Sequence, residues 1–485
     1  MKAPVVHSRI EYGDFQTPRE LAEQVCRRLV ALGVSPEVII EPTCGAGAFI
    51  RAAGQSFPQT SRIIGVEINP LYLDELRDRS ADFPLAENIE LWQGDFFTTD
   101  WETLIRATKG RALILGNLPW VTNSVQGAIG GANLPEKRNF QGLKGLDALT
   151  GRSNFDISEW MLIRLAECLA QSGGELAVLC KTSVARRLLD YLHLNHFPVA
   201  RAALFRIDAA RHFGVSVAAC LLYCRFGQVP REFDYEVFAD LETDAAVRTG
   251  WRNNIMVRDL TAFDEHIELF GKSACRWRSG VKHDCAEVME LKVINGSLVN
   301  GRGAAVDIEN TFLYPLLKGS DIANGRTCST DRYLLLTQKK PGDDTRGIRE
   351  FAPKTWSYLE AHAEQLDFRK SRIYRDSPRF SVFGVGAYTF APWKVAICAL
   401  YKRLDFSLVG PIDDRAVVFD DTVCFLGFET EDEAREVMNF LHAERTQAFL
   451  DAMIFWDEKR PIKSAILNNL KLPLVRTESE SLFAL

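Results

Sequence analysis

The chain has 485 residues, 47% apolar and 25% charged, a composition ordinary for a globular protein and a length that calls for at least two domains. No uncharged apolar run reaches the roughly 18 residues that a membrane helix needs, and the N-terminal stretch carries charges and no hydrophobic export segment, so a membrane protein is excluded and the expected address is the cytoplasm. The net charge of −6 excludes a uniformly basic nucleic-acid binder but leaves room for a local basic patch.

The first pattern in chain order is Asp14-Phe15-Gln16-Thr17-Pro18, running into an amphipathic helix over 18–32. The hydrophobic run Val38-Ile39-Ile40 follows, a buried strand that passes through Glu41 and Pro42 into the turn Thr43-Cys44-Gly45-Ala46-Gly47. Glycine there lets backbone N–H groups come close to a ligand. A second strand, Ile63-Ile64-Gly65-Val66, ends on Glu67 and Ile68, where nucleotide-binding α/β folds put the acid that holds ribose hydroxyls. A helix over 70–79 and a strand over 89–93 lead to Asp95-Phe96. A further buried strand, Ala112 to Gly116, closes on Asn117-Leu118-Pro119-Trp120, which sets an amide, a rigid turn and an exposed aromatic ring at its C-terminal end. That is equipment for holding a flat base by its amino group.

Residues 122–152 are rich in Gly, Asn and Lys, and a loop this long after such a strand reads either as a cover for the site or as disorder without purpose. A long helix over 155–171 carries apolar Ile157, Trp160, Met161, Ile163 and Leu165. Asp156 in Ser153-Asn154-Phe155-Asp156 is either part of a motif or a charge at the helix start. Strands follow at 175–180, around Phe205 and at 217–226. Alternating helices and strands make the fold class α/β: a mostly parallel, doubly wound Rossmann-like sheet with ligands at the strand C-termini. Composition turns acidic and irregular near residue 230, which places one domain at 1–229, a junction at 230–270 and a second, α+β domain at 271–485 with a helix over 431–452. The eleven cysteines show no ligand spacing; Cys220 and Cys224, four apart on an apolar strand, argue for core packing and against a metal site.

These motifs in this order resemble the gamma class of amino-methyltransferases that modify N6 of adenine in DNA, including its S-adenosylmethionine-dependent class I fold and its C-terminal target-recognition domain. The likeness is specific over about the first 230 residues. It departs at two of four catalytic positions, with Leu118 for proline and Trp120 for tyrosine. The resemblance implies S-adenosylmethionine as cofactor, with Glu41 at its methionine end, Pro42, Cys44, Gly45 and Gly47 forming the turn, Glu67 with Ile68 at the ribose, and Asp95 with Phe96 at the adenine edge and ring. Phe15, Thr17 and Pro18 match the segment that closes over the cofactor. Each has a bland alternative: Phe96 as core, Thr17-Pro18 as the start of a helix, Glu41 as a turn cap.

Adenine N6 is a poor nucleophile because its lone pair is delocalised into the ring. Accepting its two N–H groups, by the Asn117 side-chain oxygen and the Leu118 carbonyl, localises that pair without a strong base. A backbone acceptor survives the change to leucine, and Pro119 biases Leu118 towards an extended conformation. The target base has to be flipped out of the duplex, with Trp120 as stacking platform and Phe213 in His212-Phe213-Gly214 at the position of the family's second stacking residue.

In the C-terminal half, residues 270–403 hold 22 Lys+Arg against 14 Asp+Glu, whereas residues 404–485 hold 8 against 16, so an acidic tail hides a basic segment. Arg369, Lys370, Arg372, Arg375, Arg379 and Lys394 interleave there with Tyr374, Phe380, Phe383, Tyr388, Phe390, Trp393 and Tyr401. The cations are the candidate DNA contacts; most of the rings read as core. Residues 314–321 and 380–393 look like segments of target-recognition domains. The implied partners are double-stranded DNA and a separate restriction nuclease or defence-system subunit. Methylation of RNA or of a protein glutamine, and an inactive DNA-binding specificity subunit, stay open as alternatives.

Overall fold

The computed structural model describes residues 15–109, 111–120, 156–227 and 233–473. Asp14, the segment 122–152 and Ser153-Asn154-Phe155 lie outside the described residues. The chain divides into two compact units, 1–260 and 261–485.

The first unit is a ten-stranded sheet. Strands β1 (Val38–Glu41), β2 (Arg62–Glu67), β3 (Ile89–Gln93), β4 (Ala112–Asn117), β5 (Gly174–Lys181), β6 (Val199–Ile207) and β7 (Ala219–Phe226) are ordered β3-β2-β1-β4-β5-β7-β6 across it. The pairs from β3 to β5 are parallel, and β7 enters antiparallel between β5 and β6. Successive residues of a strand face opposite sides. Ile40, Ile64, Ile114 and Val178 therefore share one core with Trp101 of α4 (Trp101–Ala107), Met161 and Leu165 of α5 (Ile157–Ser172) and Leu188 of α6 (Thr182–Leu194). Ile39, Ile63, Leu113 and Ala177 share the other with Leu21 and Val25 of α1 (Arg19–Ala31), Phe49 of α2 (Ala48–Ser56) and Leu73 of α3 (Pro70–Ser80). Helices on both faces force the crossovers that align the parallel strand ends. Cys220 and Cys224 are buried in the first of these cores.

The segment expected as a junction belongs to this sheet. β8 (Tyr235–Phe238) pairs parallel with β6, and β9 (Ala246–Arg252) and β10 (Ile255–Val257) continue it antiparallel. Tyr235, Phe238 and Trp251 face inward, while Glu236 turns out to Arg201 at 3.0 Å. Most of the acidic residues that blur the pattern lie outside the strands, with Asp240, Glu242 and Asp244 exposed in the turn between β8 and β9.

The second unit holds two smaller sheets. One has order β11-β19-β16-β17, from β11 (Arg278–Ser279), β16 (Trp393–Cys398), β17 (Ser407–Val409) and β19 (Val423–Phe428). The other has order β13-β12-β15-β14-β18, from β12 (Glu290–Ile294), β13 (Ser297–Asn300), β14 (Leu313–Leu317), β15 (Arg332–Leu335) and β18 (Val418–Phe419). The helix expected over 431–452 is two, Glu431–His442 and Glu444–Met453, parted where Ala443 takes an extended conformation (φ −62°, ψ 136°). Among the described residues no helix is long and apolar enough to cross a membrane.

Candidate active site at the strand tips

β1 lies between β2 and β4, so Glu41, Glu67 and Asn117 end on one edge of the sheet, at the crevice where open α/β sheets take their ligands. The turn after β1 is built to bring backbone close. Gly47 has φ +77°, and a Cβ there would lie 2.3 Å from Leu76 Cδ1. Its N–H donates to the Cys44 carbonyl at 2.8 Å, and Cys44 N–H to Val66 O at 2.9 Å. Gly45 N–H donates to Glu67 Oε2 at 2.8 Å, while Glu67 Oε1 accepts from Asn69 N–H at 2.9 Å. Glu67 thus braces the turn against the tip of β2. Ile68 beside it is 42% exposed and offers an open apolar face.

Glu41 is buried, and its Oε2 has no hydrogen-bond partner among the described residues. Burial, then the nearby Glu67 carboxylate, pushes its carboxyl well above the usual range, against a backbone hydrogen bond from Ile50. The same burial drives the Cys44 thiol upward. Two carboxylates beside a glycine turn, one of them with an orphaned oxygen, fit a ligand bearing a cationic amino-acid end and ribose hydroxyls, as S-adenosylmethionine does. Gln16, from the segment before α1, reaches this turn: Ala46 N–H donates to its Oε1 at 2.9 Å. Thr17 and Pro18 are half-buried just before the helix, whose first turn closes from Ala22 N–H to Pro18 O at 3.1 Å.

Asn117 is aimed by its surroundings. Its Nδ2 donates to the Phe15 carbonyl at 3.1 Å, and its own carbonyl accepts from Thr43 Oγ1 at 3.2 Å. Oδ1 is buried without a partner among the described residues. With the nitrogen committed, the oxygen is left as an acceptor awaiting a donor. Leu118 is buried in the core that Ile114 and Met161 also share.

Trp120 corrects an expectation. It is 6% exposed, because its Nε1 turns back to the Leu179 carbonyl at 3.4 Å. Phe213, at the end of α7 (Ala209–Phe213), meets it edge-on at 5.0 Å and 66°, and Phe15 lies at 6.0 Å and 39°. Three rings from distant parts of the chain therefore converge beside Asn117, too close for a flat base to slip between them as they stand. Lys181, at the tip of β5, donates to the Trp120 carbonyl at 3.1 Å and to Asp156 Oδ2 at 2.7 Å. Asp156 also caps α5 through Ser158 N–H at 3.2 Å, the simpler of its two readings. Gln16, Thr43 and Lys181 carry no motif letter that marks them; being next to one, or at a strand tip, is their only signal.

After β3, Asp95 Oδ1 accepts from Phe97 N–H at 2.9 Å, closing a turn. Phe96 is buried against Trp101 at 4.9 Å and Trp160 at 6.1 Å, which is the core position its alternative reading describes. The half-buried Phe97 lies alongside, 5.2 Å from Trp160.

In the second unit the basic segment separates into two kinds of cation, and two candidate DNA contacts are corrected. Lys394 is 0% exposed on β16, its ammonium bound to the Ala391 carbonyl and its pKa pushed down to about 7 by burial. Arg369 donates to the carbonyls of Leu366, His283 and Ser381 at 2.7, 3.0 and 2.7 Å and lies 3.6 Å over the Tyr374 ring. Both make their bonds within the fold. Arg379 is tied to Glu360 at 2.8 Å and Asp367 at 3.0 Å. Lys370, Arg372 and Arg375 are exposed. Among the rings Phe380 is core, Tyr401 is exposed, and the others are half-buried. In 314–321, Lys318 pairs with Glu290 at 2.5 Å, and Asp321 is buried under Arg326 and Arg332 at 3.0 and 2.6 Å.

No protein-family model matches the chain. It is 51% identical over 472 residues to the Type II methyltransferase M.NspV of Nostoc sp., covering 97% of this chain and 98% of that one. It is 36% identical over 114 residues to the Type II methyltransferase M.CvrRI of Paramecium bursaria Chlorella virus XZ-6E, covering 24% of this chain and 26% of that one. Among solved structures, the Type IIL restriction-modification enzyme MmeI in complex with DNA superposes with a TM-score of 0.50 at 13% identity, over 90% of this chain. The chain spans 62% of the length of MmeI, and the likeness is one of fold.

Proposed function

Because the chain belongs to the Type II methyltransferases of restriction-modification systems, we propose that its substrate is double-stranded DNA and that it methylates N6 of an adenine flipped out of the duplex. The observation that carries this reading is the Asn117 carboxamide, whose nitrogen is fixed by the Phe15 carbonyl and whose buried oxygen waits for a donor. S-adenosylmethionine, when bound, supplies a methyl group made electrophilic by its sulfonium. Glu41, Glu67 and the turn from Cys44 to Gly47 hold that cofactor, with Glu41 taking the cationic end and Glu67 the ribose.

Asn117 Oδ1 and the Leu118 carbonyl accept the two N6 hydrogens and draw the amino lone pair out of the ring. The proton leaves after transfer, so the site needs no strong base. Trp120 gives its face to the base once Phe213 or Phe15 withdraws, and the rings that now fill the slot keep water from it. Residues 271–485 read the recognition sequence, with Lys370, Arg372 and Arg375 as phosphate contacts. A separate restriction nuclease completes the system.

Long-read methylation sequencing of a plasmid from cells expressing wild type or Asn117→Ala tests this. N6-methyladenine at one short motif, absent in the variant, is the expected outcome. Methylcytosine there would overturn the target atom. An unmodified plasmid, together with labelled methyl transfer to RNA or protein, would overturn DNA as substrate.

A further inference from the structure

The eight residues from Phe368 to Arg375 carry four cations, Arg369, Lys370, Arg372 and Arg375, and no acid. Arg369 turns inward onto three backbone carbonyls and the Tyr374 ring, and the Tyr374 hydroxyl donates to the Lys282 carbonyl at 3.3 Å. On the other side, Phe368 N–H closes the preceding helical turn on the Glu364 carbonyl at 3.0 Å. The backbone is therefore fixed before and after a ring that stands 77% exposed, with Lys370, Arg372 and Arg375 exposed beyond it.

A phenyl ring held out on a rigid loop and followed by exposed cations suits a surface that combines flat apolar faces with negative charge. A base-paired stack bordered by phosphates is such a surface. We propose that Phe368 is a wedge that enters the stack between two base pairs while Lys370, Arg372 and Arg375 take the neighbouring phosphates. The role rests on the reading of residues 271–485 as the DNA-binding half. Phe351 is an internal control. It is 78% exposed, but of the cations near it in sequence Arg346 and Lys354 are bound to Asp344 and Asp307 at 2.8 Å each, and Arg349 alone is exposed outside such a pair. It has the ring beside one such cation, where Phe368 is followed by both Lys370 and Arg375.

The test uses the full chain, its Phe368→Ala and Phe351→Ala variants, and a short duplex containing the modification site, with 2-aminopurine placed in turn at positions other than the modified adenine. Wild type and Phe351→Ala are expected to unstack one probe position. Phe368→Ala loses that signal and binds about tenfold more weakly with an unchanged salt slope, since no charge is lost. A duplex mismatched at that step, already unstacked, restores its binding to within about threefold of wild type. Wild-type signal and affinity in Phe368→Ala would overturn the wedge, as would an equal loss on the mismatched duplex. A fall in oligomeric state on light scattering would assign the ring to a second copy of the chain and overturn it too. Wild type that binds no duplex at all would overturn the DNA reading together with the wedge.

Discussion

At the tip of β4, Asn117 keeps a buried amide oxygen without a partner among the described residues, whereas in the second unit Lys394 commits its ammonium to the Ala391 carbonyl and Arg369 its guanidinium to three carbonyls. An unpaired buried acceptor costs about 1–3 kcal/mol. At a strand tip that opens on the crevice of an α/β sheet, a ligand can supply the donor. Cations bonded to carbonyls of their own fold are no longer offered to a ligand. A residue's type states what it can do; whether its bonds are already made indicates what it is kept for.

Removing the acceptor is the most severe way to break this contrast. Asn117→Ala is expected to lower methyl transfer by about 10²-fold or more while leaving cofactor affinity within about twofold, read by labelled-methyl transfer and calorimetric titration with S-adenosylmethionine. Lost cofactor affinity with methylation retained would move Asn117 to the other side of the comparison.

Glu41→Gln comes next, with cofactor affinity expected to fall about tenfold or more because a charge-assisted contact is lost. The cofactor-free variant should also respond differently to pH. Folded Glu41 holds its proton at pH values where the unfolded chain has released it, so its contribution to stability is full at low pH and falls as pH rises from the ordinary glutamate range up to the raised folded value. Melting curves of the variant should lose that fall.

Arg369→Ala should cost about 3 kcal/mol of stability and leave the salt dependence of DNA binding alone. Lys370→Ala should do the reverse, reducing the salt slope by about one at an unchanged melting temperature. Similar slopes in both variants would erase the division between binding and structural cations.

Lys394→Met should have the smallest effect, a gain of about 1–2 kcal/mol from replacing a desolvated ammonium with an apolar side chain. The folded lysine gives up its proton near pH 7, the unfolded one near pH ~10.4. Between these values the unfolded chain binds the extra proton, so stability rises with pH across that window and is lowest below it. Melting temperatures of wild type should show this rise and those of the variant should not.

The sequence made the strand tips legible because the crossovers tie order to position: a parallel sheet brings the ends of β1, β2 and β4 to one edge whatever the side chains between them. Glu41, Glu67 and Asn117 could be placed from their runs alone. Directions were harder to read. Trp120 stands at the expected place but lies beneath Phe15 and Phe213, residues that only the closed fold brings near it. A positive count over residues 270–403 could not distinguish Arg375, which is exposed, from Arg379, which is tied to Glu360 and Asp367. The strands over 235–257 escaped because Asp240, Glu242 and Asp244 crowd the turn between β8 and β9, and because Tyr235 and Phe238 divide the apolar signal of β8 between the two faces of the sheet. The break at Ala443 has no glycine or proline to announce it.

The bond from Asn117 Nδ2 to the Phe15 carbonyl also bears on how the protein ages. Asparagine slowly hydrolyses to aspartate, a change of almost no volume that most surface positions absorb. At position 117 it would set a carboxylate oxygen against a carbonyl oxygen, so the side chain would have to turn away and take its acceptor with it. A stored preparation would then hold two populations, one fully competent and one inert, separable by a single unit of charge.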